Sequence, residues 1–254
     1  MRFVKYLFIL ITIVSCSNIT VMEGDGSSFS HETWDALLKK YVKADGSVDY
    51  KGIQSEKAQL DSYLRSLEAN PPNKEKWTDK EQIAYWINAY NAYTVDLILQ
   101  YYPVGSIKDI GSAIQIPFVN TPWDIKFIEI GGEKYDLNNI EHGILRADFE
   151  EPRIHFAVNC ASFSCPALRA EAYTGDKLET QLDEQARLFI NDDRKNQISK
   201  GSAELSKLFS WYSGDFNDNM SVEEYINQYA DTQITEETDI DYLDYDWSLN
   251  DLPE

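Results

Sequence analysis

The sequence predicts an α+β fold, with mixed helices packed on a small, mostly antiparallel sheet, in a single domain with an N-terminal helical part. Three observations carry that expectation. Apolar residues recur at helical spacing over residues 34–42 and, as a wide stripe, over residues 83–101. Two strand-like runs, 125–130 and 133–137, flank Gly131-Gly132, a two-residue connection that signals a hairpin. Further short strand-like runs at 197–199, 203–205 and 239–247 are interleaved with helix-compatible segments at 177–189, 207–212 and 222–229. With 16 Tyr, 11 Phe and 6 Trp in 254 residues, the chain can bury a full core.

The first residues have a different character. Met1-Arg2-Phe3-Val4-Lys5 is followed by an apolar run over 6–14 and then Ser15-Cys16, the form of a signal peptide spanning 1–15. Ile13-Val14-Ser15-Cys16 resembles a bacterial lipobox, so Cys16 is expected to carry lipid as the first residue of the mature protein. Residues 16–30, with Gly24-Asp25-Gly26-Ser27-Ser28, read as a flexible tether. The run over 6–14 is too short to span a bilayer, and no second run of about 18 apolar residues follows. The expected location is therefore the bacterial cell envelope outside the cytoplasm, periplasmic or cell-surface, with the membrane as partner through the anchor. A net charge of −20, or −22 without Arg2 and Lys5, argues against nucleic acid and anionic headgroups as partners and is read as a solubility property.

Residues 31–76 form the N-terminal helical segment. Its first helix covers 34–42, Ala44-Asp45-Gly46-Ser47 supplies a turn, and a helix over 55–68 ends at Asn70-Pro71-Pro72. His31, near the first helix start, is expected at the surface. Asp45, Ser47 and Asp49 alternate like a calcium loop, and 215–219 is similarly acidic, but both fail the glycine and glutamate requirements of an EF-hand. Thr78 and Glu81 have capping-box spacing and open the long helix that runs to Tyr101. Within it, Asn88 and Asn91 share a face; asparagine is a poor interior helix former, so each is expected to bind the backbone of an adjacent loop or to line a substrate cleft. Asn138 and Glu141 also have capping-box spacing, and His142 and Arg146 project from one face of the short helix that follows.

The stretch 152–168 holds Cys160, Cys165 and His155. Residues 154–158 read as a strand, 159–164 as a tight loop, and the segment after Cys165-Pro166 as a helix start. That geometry places Cys165 beside the positive end of a helix, where a thiol pKa falls. On the strand reading, His155 and Asn159 share a sheet face.

Five groups of residues resemble domain-of-unknown-function family 547 (DUF547): 86–92, 140–146, 152–157, 159–166 and 245–250. The likeness runs from about Trp77 to Asn250, so 77–250 is read as a DUF547-like domain. The family is widespread in bacteria, often behind a secretion or lipoprotein signal, and also occurs in larger eukaryotic proteins, but its name assigns no activity. The resemblance singles out Asn88, Asn91, Glu141, His142, Arg146, Arg153, His155, Asn159, Cys160 and Cys165.

The sharpest chemistry these residues offer is a cysteine hydrolase or acyltransferase acting on an amide or peptide bond, with a peptide or cell-wall substrate. Cys165 attacks, His142 or His155 is the base, Glu141 or an asparagine orients the imidazole, and Asn159 or nearby N–H groups hold the oxyanion. Asn88, Asn91, Arg146, Arg153 and Cys160 are the candidate substrate-binding residues. No histidine follows Cys165, so the order differs from that of papain-like enzymes and only a permuted arrangement fits. The alternative is a non-catalytic binding or assembly module at the membrane surface with a structural Cys160–Cys165 disulfide, which suits an oxidising compartment. His142, His155, Cys160 and Cys165 form an acceptable zinc ligand list, but the spacing fits no common finger, and no metal or other cofactor is expected. No phosphate-cradling glycine loop and no Gly-x-Ser-x-Gly elbow is present.

Overall fold

The computed structural model describes residues 28–111, 121–217 and 220–252. The expected signal peptide, the expected lipidation site Cys16 and most of the expected tether lie outside the described residues. The architecture is α+β, but the strands form two small sheets rather than one. Helices α1 (Glu32–Tyr41), α2 (Tyr50–Ser55) and α3 (Lys57–Ala69) pack around the 23-residue α4 (Asp79–Tyr101). A hairpin of β1 (Ile128–Ile130) and β2 (Glu133–Tyr135) follows. The helical segment α5 (Leu137–Ile140), a π-helical turn (Glu141–Leu145) and α6 (Arg146–Asp148) come next, then a 3-10 turn (Pro152–Phe156) and α7 (Leu178–Ile190). The last third comprises β3 (Gln197–Ile198), β4 (Ser202–Leu205), α8 (Lys207–Trp211), α9 (Ser213–Phe216), α10 (Val222–Asn227) and β5 (Asp239–Tyr242). In that sheet β4 is central, antiparallel to β3 and parallel to β5.

Local chemistry explains most of these elements. The Thr78 hydroxyl accepts the Glu81 N–H while the Glu81 carboxylate accepts the Thr78 N–H at 2.8 Å, a closed capping box at the start of α4. Gly131 and Gly132 have φ of +63° and +82°, the left-handed pair that lets two residues reverse a right-twisted hairpin. The cap of α5 is Asp136, whose carboxylate accepts the Asn139 N–H at 2.6 Å, so Asn138 and Glu141 are not the capping pair. Asp136 sits two residues before Asn138 and leaves Glu141 free to enter the interior.

The stripe expected on α4 is wider than periodicity suggested: every residue from Gln82 to Leu99 is buried. Neighbouring elements cover the helix on all sides, which makes it the axis of the larger hydrophobic core. A second core, centred on Phe156, Phe189, Phe209 and Phe216, joins α7 to the C-terminal sheet and helices. Full burial of each such ring stabilises the fold by about 1.5–3 kcal/mol. His31 is buried, not exposed: its Nδ1 lies 2.7 Å from the Tyr63 hydroxyl, and burial lowers its pKa to about 3. Phe29, Tyr63 and Tyr85 surround its ring, so the neutral imidazole serves as a core hydrogen-bonder.

Among the described residues, no helix is long and apolar enough to cross a membrane.

Candidate functional site

The central stretch does not form the strand and helix start expected of it. Residues 152–156 make a 3-10 turn, and residues 166–170 form no helix. Its carbonyls instead receive side-chain amides: Asn91 Nδ2 donates to Ala157 O at 3.0 Å, and Gln185 Nε2 donates to Phe156 O at 3.4 Å and Ala167 O at 3.0 Å. With those acceptors satisfied by side chains from α4 and α7, the segment needs no partner strand. Two consequences follow for the site. Cys165 gains nothing from a helix terminus, and His155 and Asn159 do not share a sheet face.

Asn159 is 3% exposed and braces the loop: its Oδ1 accepts the Ala161 N–H at 2.9 Å, and its Nδ2 donates to Pro166 O at 2.7 Å. The backbone N–H of Asn159 is in turn held by Asn91 Oδ1 at 2.8 Å. Ala161, turning at φ +60°, brings Cys160 and Cys165 face to face. The two sulfurs are free thiols 2.9 Å apart, well beyond the roughly 2.0 Å of a disulfide, so the expected structural disulfide is not present. The Cys160 N–H also donates to Cys165 Sγ at 2.9 Å.

The C-terminal segment closes over this loop. Phe163 N–H donates to Ser248 O at 2.7 Å, Ser164 N–H to Asp246 O at 3.1 Å and Asn250 N–H to Ala161 O at 3.1 Å. This sets the Tyr245 hydroxyl 3.5 Å from Cys160 Sγ and 3.1 Å from Ser162 Oγ, which itself lies 3.2 Å from Cys160 Sγ. The Cys165 thiol and the Ser162 and Tyr245 hydroxyls hold the Cys160 pKa below the ordinary thiol range. Burial and the neighbouring Cys160 sulfur push Cys165 well above it. As residues, Cys160 is half-buried and Cys165 buried. Of the two, Cys160, expected among the binding residues, is the more accessible residue and the more acidic thiol, and Cys165, the expected nucleophile, is the more buried and less acidic.

Both cysteines border a cleft of about 350 Å³ shared with Glu141, His142, His155, Tyr90 and Tyr212. His155 is buried, its ring stacked on Tyr212 at 3.9 Å, and its Nε2 lies 2.7 Å from Asp215 Oδ2. Donation of the Nε2 proton to that carboxylate leaves Nδ1 as the basic nitrogen, and Nδ1 has no hydrogen-bond partner. Asp215 is held well below the usual carboxylate range, first by Arg146, which grips both its oxygens at 2.6 and 2.7 Å, and then by His155. Glu141 projects from the π-helical turn and accepts the Tyr212 hydroxyl at 2.7 Å. Burial and this carboxylate push the Tyr212 hydroxyl up. His142, one residue on, is turned toward Arg146, 3.1 Å from its Nη1.

Residues 74–190 match the family described as "Protein of unknown function, DUF547". The match supports membership of that family. Comparison with curated proteins and with solved structures returned no match. The expected likeness ran to about Asn250, whereas the family model ends at residue 190. Glu141, His142, His155, Cys160 and Cys165 fall within the DUF547 match, and Tyr212, Asp215 and Tyr245 lie beyond it.

Of the other residues the DUF547 resemblance singled out, Asn88 and Asn91 do not line the cleft. Asn88 exchanges two hydrogen bonds with the Tyr173 backbone, at 2.8 and 3.1 Å, and Asn91 clamps Ala157 and Asn159 as described. Arg153 lies apart from the cleft in an ion-pair cluster with Glu151, Glu179 and Asp183. Arg146 acts on the site through Asp215. Among the described residues, no group of three or more His, Cys, Asp or Glu side chains is arranged to hold a metal ion.

Sequence reasoning missed Asp215, Tyr212 and Tyr245. Asp215 stands in an acidic segment read only as a failed calcium loop, and nothing in its spacing ties it to a histidine 60 residues earlier. Tyr245 did carry a signal, since it opens the last of the family-like motifs. The cleft is further walled by Trp123, Trp211, Tyr245 and Trp247, with Tyr245–Trp247 and Trp211–Tyr245 ring centroids at 4.5 and 4.8 Å.

Proposed function

We propose that this cleft carries out thiol-dependent hydrolysis or acyl transfer on an amide or peptide bond, with Cys160 as nucleophile and the His155–Asp215 pair as its acid–base partner. One observation carries the reading. The half-buried cysteine with the lowered pKa shares a cleft with a histidine whose Nε2 is fixed by a carboxylate and whose Nδ1 is unpartnered. This is the division of labour that nucleophilic catalysis needs: a thiolate at neutral pH and an imidazole held in one tautomer. His155 Nδ1 takes the Cys160 thiol proton as the sulfur attacks the carbonyl carbon and gives that proton to the leaving amine; water or another acceptor nucleophile then takes the acyl group from sulfur, its proton passing through Nδ1 back to the thiolate. Glu141 and Tyr212 shape the floor, and the Trp123–Trp211–Trp247 wall supplies apolar contact for the substrate's side groups.

The same proposal keeps the domain in the bacterial cell envelope, lipid-anchored at Cys16, on the strength of the lipobox-like Ile13-Val14-Ser15-Cys16. A peptide of the envelope is then the substrate class within reach. The aromatic wall, with Trp211 49% exposed, is the observation that favours the second reading, a non-catalytic binding module.

The deciding assay is acylation by an activated ester followed by intact mass. The expected result is one acyl group on Cys160, lost in Cys160→Ser and accumulating in His155→Ala because deacylation is slowed. Binding of peptides without any acyl adduct, in protein shown to be folded, would favour the binding module. Incorporation of a palmitate analogue in a bacterial host, abolished by Cys16→Ser, tests the anchor.

A further inference from the structure

Acyl transfer needs one sulfur, and the cleft holds two. We propose that Cys160 and Cys165 act together as an attacking and a resolving thiol, so that the same cleft reduces accessible disulfides by thiol–disulfide exchange. The inference rests on the reading of Cys160 as the nucleophile and extends it to a second substrate class.

The placement of the sulfurs is the argument. Cys160 is half-buried at the cleft, while Cys165, 6% exposed, cannot be approached by a bulky disulfide yet sits 2.9 Å from Cys160 Sγ. Closing from 2.9 Å to a bonded separation of about 2.0 Å is a movement of about 0.9 Å. The loop between them is fixed by backbone geometry rather than by cleft contents: Ala161 holds φ +60° through its N–H to Asn159 Oδ1 at 2.9 Å and its carbonyl to the Asn250 N–H at 3.1 Å. A left-handed alanine is costly, and it persists here because both of its backbone groups are tied down. The thiols also differ in acidity in the direction the task requires, Cys160 lowered and Cys165 raised. A resolving thiol that stays protonated cannot compete with the attacking one for the substrate. The aromatic wall, formed by Trp123, Trp211, Tyr245 and Trp247, offers a surface for an apolar or aromatic half of the disulfide.

The chemistry balances within the dithiol. Cys160 thiolate attacks one sulfur of R–S–S–R′; the S–S bond breaks, R′S⁻ leaves and takes up the proton that Cys160 gave up. Cys165 then loses its proton and attacks Cys160 Sγ, forming the Cys160–Cys165 bond and expelling RS⁻, which takes that proton. The protein gives up two electrons and two protons, and the disulfide becomes two thiols. A thiol reductant of the surroundings restores the dithiol by the same exchange in reverse.

The test uses the full chain carrying Cys16→Ser, so that only these two thiols remain, with 4,4′-dithiodipyridine as a neutral aromatic disulfide that releases a coloured thiopyridone. Two thiopyridones are expected per folded chain, the second in a phase whose rate does not change with probe concentration. The product is lighter by two hydrogens and carries no adduct. Cys165→Ser is expected to release one thiopyridone and keep a mixed disulfide on Cys160. Cys160→Ser should react at least about tenfold more slowly, because the remaining thiol is buried and protonated. A stable mixed disulfide on Cys160 in the parent, or a second release that scales with probe and leaves two adducts, overturns the inference while leaving acyl transfer intact. A Cys160 that fails to react in the folded protein brings down both.

Discussion

Replacement of Cys165 by alanine removes the largest contribution to the acidity of Cys160, the hydrogen bond with the neighbouring sulfur at 2.9 Å, which Cys165 donates once Cys160 is a thiolate. A hydrogen bond to a charged acceptor is worth about 1.5–3 kcal/mol, and a thiol donor belongs at or below the bottom of that range. At about 1.36 kcal/mol per pKa unit, the Cys160 midpoint in Cys165→Ala should rise by about one unit. The Ser162 and Tyr245 hydroxyls still lie against the sulfur, so the rise stops short of the full burial penalty. At any pH well below the midpoint, one unit lowers the thiolate fraction, and hence the alkylation rate, about tenfold. The assay is the rate of Cys160 carboxamidomethylation against pH, located by peptide mass. Cys165→Ser is the control, because its hydroxyl restores a donor and should return the midpoint most of the way to that of the parent. An unchanged midpoint in Cys165→Ala, or faster labelling at Cys165 than at Cys160 in the parent, would refute the assignment of roles to the two sulfurs.

Three further outcomes are expected. Asp215→Asn breaks the two-point grip of Arg146 and alters the acceptor of His155, and should cost about 2–3 kcal/mol at pH 7, read from urea midpoints, the exposure of the pair keeping the value below that of a fully buried one. A carboxylate whose folded pKa is depressed contributes stability that is complete above the unfolded value near pH 4 and is lost as the pH falls toward the folded one, so the gap between parent and variant should narrow progressively as the pH falls below about 4. Asn88→Ala should destabilise the fold by about 2–4 kcal/mol by leaving the Tyr173 N–H and carbonyl unpaired, with the Cys160 alkylation rate of the folded protein unchanged; a slowed rate would place Asn88 in the site after all. His31, neutral in the fold with a pKa of about 3, binds a proton only in the unfolded chain between that value and about 6.5. Stability should therefore fall by about 1.4 kcal/mol per pH unit from pH 6 to pH 4, and His31→Gln should flatten that slope; identical slopes would contradict its burial.

The parts of the fold legible in the sequence are those set by local chemistry. The Thr78–Glu81 box, the Gly131-Gly132 turn and the periodicity of α1, α3, α4 and α7 all act within a few residues, so sequence spacing suffices to find them. The central stretch misled because a short apolar run has no periodicity of its own. Residues 154–158 carry strand-like side chains, but side-chain amides from α4 and α7 satisfy the carbonyls that a ladder would have used. The site was legible in part for the same reason: Cys160, Cys165, His155 and Glu141 stand in motifs, whereas the partners that decide their roles come from distant segments. Nothing in the spacing of two cysteines five apart says which is exposed.

That separation bears on where the functional unit ends. The family-matched segment, 74–190, contains both sulfurs and both cleft histidines, but the groups that tune them arrive later in the chain. Asp215 fixes the tautomer of His155, the Tyr245 hydroxyl lies against Cys160, and the backbone of 246–250 pins the Cys loop through Ser164, Phe163 and Ala161. A fragment cut at residue 190 would retain the residues with intrinsic reactivity and lose the ones that set it. It would also expose Phe156, whose ring packs against Phe209, Phe216 and Tyr225. The chemistry proposed for the cleft is therefore a property of the chain through its C-terminal segment.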